Sequence, residues 1–89
     1  MASQLLQHSE KLIYFLAVAK LGSIKKAAAE LGLTQPTVSQ TIKLLESVLG
    51  VVLFIRRSTG VELTMEGKIL FQEVSPMFEH LKKVEQRLK

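Results

Sequence analysis

TQPTVSQTIKLLESVLG, residues 34–50, writes both ends of a helix into its own letters. The Thr34 hydroxyl can accept from an orphan amide of the first turn, and Pro36 stands where its missing N–H does no harm. Gly50 supplies the stop. Between them Val38, Ile42, Leu45 and Leu49 recur at helical spacing and give one buried stripe. Gln35, Thr37, Ser39, Gln40, Thr41 and Lys43 fill the other faces. An ordinary surface helix would carry Glu and Lys there; amides and hydroxyls suit base edges and phosphates, because Gln offers a paired donor and acceptor.

The segment before this helix decides between those two readings. Ser23 caps a short helix, IKKAAAEL, which Gly32 closes, and only Leu33 separates that glycine from the Thr34 cap. Two helices joined so tightly must cross steeply, and the run Ala27 to Ala29, read as core, lets the backbones approach. Helix, short turn and helix with a polar face on the second is a helix-turn-helix.

Upstream, Leu12, Phe15, Leu16 and Ala19 mark the buried face of a first helix over Lys11 to Leu21, with Ser9 as its cap and Gly22 as its end. This helix completes a three-helix core. Residues Met1 to His8 have little pattern and form a short lead-in, with Leu5 and Leu6 available for packing. Downstream, VVLF (51–54) is a β-prone run, IRRSTG (55–60) a polar turn and VEL (61–63) an alternating strand, together a hairpin wing. Thr64 caps a long last helix. Gly67 in its first turn has no capping use, which predicts close approach of another backbone there.

Along that helix Leu70, Val74, Met77, Leu81, Val84 and Leu88 follow spacings of 4, 3, 4, 3 and 4, a coiled-coil seam. The seam predicts pairing with a second copy of the chain, which would set two recognition helices at a fixed separation. The competing reading folds the helix back on its own core. Pro76 lacks the N–H that would bond to Gln72, which predicts a bend over 72–75.

Composition bounds the rest. Eighty-nine residues make one small domain, and 12 Lys and Arg against 8 Glu, with no Asp, give a net charge of +4 that fits nucleic acid. There is no cysteine, and His8 and His80 stand far apart with no metal-ligand spacing, so no metal and no cofactor are expected. His80 belongs to the polar side of the last helix. The longest apolar run, Leu12 to Ala19, is short and holds Tyr14, so neither a signal peptide nor a membrane span is expected and the chain is placed in the cytoplasm. Enzyme chemistry lacks any G-x-S-x-G, glycine-rich phosphate loop or carboxylate cluster to carry it.

Read in order, these residues resemble the N-terminal DNA-binding domain of LysR-type transcriptional regulators. The resemblance runs from Leu12 to about Leu70 through Phe15, Val18-Ala19, Gly22-Ser23, Ala27-Ala28, Leu31, Thr34-Gln35-Pro36, Val38-Ser39, Ile42 and Leu45-Glu46. It continues with Leu49-Gly50, Leu53-Phe54, Arg56, Leu63-Thr64 and Gly67. It implies a mainly α fold: a winged helix-turn-helix over residues 1–63, with a three-helix core and short β-hairpin, then a linker helix for dimerisation over residues 64–89. It also implies double-stranded DNA as partner, a homodimer through the last helix, and a small-molecule effector sensed by a further domain that these 89 residues do not contain. An end at Lys89 inside the linker helix fits a fragment better than a naturally short relative.

By position, Gln35, Pro36, Thr37 and Gln40 match the family's base-facing residues, while Thr34, Ser39 and Lys43 match residues near the backbone, and Ser23 is a further candidate for the backbone. Lys25, Lys26 and Lys43 are either solvated charges or phosphate contacts. Arg56 either meets phosphate or pairs with Glu46. The family's later wing arginine is replaced by Thr59, and Arg57 is expected to take its role. A second class of function also fits: an interaction module whose last helix captures a full-length regulator as a mixed dimer.

Overall fold

The computed structural model describes residues 3–89. A short helix α1 (Gln4–Gln7) leads into α2 (Ser9–Leu21), α3 (Ile24–Leu31) and α4 (Gln35–Leu49). Strands β1 (Phe54–Arg57) and β2 (Gly60–Leu63) follow, and α5 (Met65–Leu88) completes the chain.

The lead-in is therefore helical, with the Ser3 hydroxyl accepting from the Leu6 amide. This displaces the expected Ser9 cap. The His8 amide bonds to the Gln4 carbonyl and the His8 carbonyl accepts from Lys11, so the chain passes from α1 to α2 at His8 and Ser9 is already helical. Leu5 packs on the core, whereas Leu6 is exposed.

On α2 the buried residues are Leu12, Phe15 and Val18; Leu16 and Ala19 lie only partly covered at the edge of that stripe. Ala27 and Ala28 of α3 are buried as their small size allows, but Ala29 faces solvent, because three consecutive helical positions span too wide an arc to share one face. Val38, Ile42 and Leu45 of α4 close the trihelical core, with Leu49 at its margin.

The strands begin later than the β-prone run suggested. Ile55 to Arg57 belong to β1, and the hairpin turn is only Ser58-Thr59, with Phe54 opposite Leu63 and Arg57 opposite Gly60. Val51 to Leu53 instead form a strap whose polar groups bond elsewhere: the Val51 amide to the Glu46 carbonyl, and the Leu53 carbonyl to the Thr64 amide. Leu53 is fully buried and the Phe54 ring lies 5.3 Å from that of Phe15, which roots the wing in the core.

Thr64 joins strap to last helix twice over, its hydroxyl donating to the Val52 carbonyl and accepting from the Gly67 amide. Gly67 is buried against Leu53, as its place in the first turn predicted: a Cβ there would collide with the Leu53 carbonyl oxygen. Anchored this way, α5 lays its first turns on the core. Leu70 and Val74, counted from spacing as seam positions, are only 9% and 6% exposed and belong to this chain's own core. Met77, Leu81 and Leu88 are exposed, at 61%, 59% and 82%, while Phe78, beyond Pro76, still packs on the core and Leu81 lines the groove between α5 and helices α2 and α3. Among the described residues no helix is long and apolar enough to cross a membrane.

Candidate nucleic-acid interface

The exposed end of α4 is built by its cap. The Thr34 hydroxyl accepts from the Thr37 amide at 3.3 Å and donates to the Thr37 hydroxyl at 2.9 Å, which leaves the Thr37 proton free to point outward. Gln35, Pro36, Thr37 and Gln40 are all exposed over these first two turns. Thr41 is different. Its hydroxyl donates back to the Thr37 carbonyl at 2.8 Å and offers the surroundings only an acceptor.

No carboxylate lies between Leu31 and Leu45, and cations stand on either side of that interval. Ser23 caps α3 by accepting from the Lys26 amide, and this places Lys25 and Lys26, both exposed, in the helix's first turn. Lys43 is exposed on α4 one turn beyond Ser39. Ion pairs among the described residues involve Arg57, Lys82 and Lys89, so Lys25, Lys26, Lys43 and Arg56 have no carboxylate partner there.

The wing sorts its two arginines by strand alternation. Arg56 shares a face with Phe54, and its guanidinium donates to the Ser39 hydroxyl on α4. Arg57 emerges on the other face, where its Nε meets the Glu62 carboxylate at 2.8 Å. The alternative pairing of Arg56 with Glu46 does not form. One oxygen of Glu46 is taken by the amides of Leu53 at 2.6 Å and Phe54 at 3.3 Å, at the base of the strand, while Arg56 lies two residues farther along and reaches up α4.

Two residues escaped the sequence reading. Glu46 looked like an ion-pair partner because carboxylates near arginines usually are; that it serves two backbone amides depends on a strap whose path no pattern announces. From its place in the sequence Gly22 marks only a helix stop. Its carbonyl also accepts the Val61 amide at 3.1 Å, and Gly60, at φ 143°, lies so close that any side chain there would strike the same carbonyl oxygen. The wing is thus fastened to the turn between α2 and α3.

The comparisons agree with this geometry. The pattern of the bacterial regulatory helix-turn-helix protein, lysR family, matches residues 9–68. The HTH-type transcriptional regulator TdcA of Escherichia coli (strain K12) is 42% identical over 82 residues, covering 92% of this chain and 26% of TdcA, so the chain spans about a quarter of that relative's length. The BenM DNA-binding domain in complex with catB site 1 DNA superposes with a TM-score of 0.81 at 33% identity, over 89% of each chain. The CbnR DNA-binding domain in complex with DNA gives a TM-score of 0.77 at 35% identity, over 88% of this chain and 90% of that one. With pattern, order and fold all in agreement, this chain belongs to the lysR family of bacterial regulatory helix-turn-helix proteins and carries that family's DNA-binding winged helix-turn-helix.

Proposed function

We propose that the chain binds duplex DNA sequence-specifically as one half of a dimeric transcriptional regulator, with α4 in the major groove. Gln35, Pro36, Thr37 and Gln40 read base edges, while Ser23, Lys25, Lys26, Thr34, Ser39, Lys43 and Arg56 hold the sugar-phosphate backbone. The observation that carries this reading is the acid-free, amide- and hydroxyl-bearing surface of α4 from Gln35 to Lys43, flanked by cations that have no carboxylate partner among the described residues. Arg57 joins the backbone contacts only by exchanging Glu62 for phosphate.

Residues 64–89 act as the linker in this proposal. Met77, Leu81, Val84 and Leu88 form an apolar stripe along the C-terminal half of α5 that the core leaves largely uncovered, and a second copy of the same helix supplies a matching surface. The same stripe favours a second reading, in which the chain captures a longer regulator as a mixed dimer.

Selection of bound duplexes from a random-sequence pool tests the proposal. Enrichment of a motif with two related half-sites is the expected result. Recovery of unenriched sequence, with no mobility shift by the chain alone, would leave the mixed-dimer reading in its place.

A further inference from the structure

Glu46 is an unusual choice for its position. It lies in the last turns of α4, where unpaired carbonyls make the helix end negative and a cation is the favoured neighbour. It is partly buried, and among the described residues no cation pairs with it. What offsets these costs is the pair of amide bonds from Leu53 and Phe54, two donors that enter β1 beside buried side chains and have no ladder partner on that edge.

Those bonds sit at one end of a ruler. Ser39 and Glu46 are seven residues apart, so they share one face of α4 with an axial spacing of about 10 Å. Glu46 grips the strand at Leu53 and Phe54, and Ser39 receives the guanidinium of Arg56, which lies on the same face of the strand as Phe54. The two links tie the strand to α4 at two heights, with the arginine held at Ser39 in the N-terminal half of the helix.

We propose that Glu46 is a positioning residue for DNA binding: its carboxylate fixes the height of the wing along α4, so that Arg56 waits at the phosphate before DNA arrives. The proposal rests on the reading of Arg56 as a backbone contact. Pre-placement matters because a free arginine loses rotamer freedom on binding, whereas one already bonded to Ser39 has less to lose.

The test measures the salt dependence of affinity for a duplex that the wild-type chain selects from a random pool. Arg56→Ala is expected to lower the slope of log affinity against log salt by about 0.9, the value of one phosphate contact. Glu46→Ala is expected to lower it by a similar amount and to weaken binding several-fold, and adding Arg56→Ala to it should cause little further loss. Glu46→Gln, which keeps an acceptor oxygen, should recover most of the slope. Val18→Ala, a core truncation away from DNA, controls for stability and should leave the slope alone. Should Glu46→Ala fail to fold, Glu46→Asp, one methylene too short to reach both amides, replaces it. If Arg56→Ala lowers the slope while Glu46→Ala does not, the positioning role is overturned and the Arg56 contact survives. If Arg56→Ala itself changes nothing, the contact reading fails and the positioning role falls with it.

Discussion

Gly67 and Leu53 meet backbone to backbone, helix α5 against the strap, with no space between them for a side chain. The contact fixes where α5 leaves the domain. Gly67→Ala is expected to destabilise the fold by about 1–3 kcal/mol, the usual cost of forcing an atom into a packed site, despite the better helix propensity of alanine. Denaturant unfolding checks this, and a variant as stable as wild type would show that the strap yields freely.

Leu70 and Leu81 stand on the same helix and should answer differently. Leu70→Ala removes a core side chain and should cost about 2–5 kcal/mol of stability. Leu81→Lys should leave the monomer fold intact and separate the proposed dimer, because it puts a charge in the centre of the exposed stripe. Sedimentation velocity distinguishes the two; a dimer that survives Leu81→Lys places the interface elsewhere.

Gln40→Ala should weaken binding to a selected site by about 1–3 kcal/mol and to random duplex by much less, as befits a base contact. Equal losses on both would make Gln40 a backbone contact.

For Arg57, strand alternation and the Glu62 pair predict a small effect. The pair is exposed on both sides, so Arg57→Ala should change stability by less than about 1 kcal/mol. Titration at several salt concentrations should show a smaller loss of slope than Arg56→Ala gives, and the reverse ranking would assign the wing's main contact to Arg57.

Which features were legible in the sequence follows from how local their causes are. The helix ends of α3 and α4 were, because Ser23, Thr34, Gly32 and Gly50 act within one turn. Gly67 was legible for a related reason: a helical glycine without a local use points to a neighbour. Leu70 and Val74 were assigned to the wrong partner because spacing along a helix states which residues share a face and is silent on what covers it. The partnership of Arg56 with Ser39 was hidden for a different reason. It depends on where β1 begins, and that is set by Glu46 and the strap rather than by β propensity in VVLF.

The bond from the Val61 amide to the Gly22 carbonyl changes how the two flanks of α4 are to be pictured. Gly22 immediately precedes the Ser23 cap, and so the cationic first turn of α3 and the turn end of the wing meet at a single peptide unit. The domain therefore behaves as a caliper with a closed hinge. On the phosphate contacts proposed above, Lys25 and Lys26 on one side and Arg56 on the other are the two jaws, and a fixed span between them would require DNA to adjust its groove width to it. Sequences whose groove already has that width gain affinity at base pairs that no side chain touches.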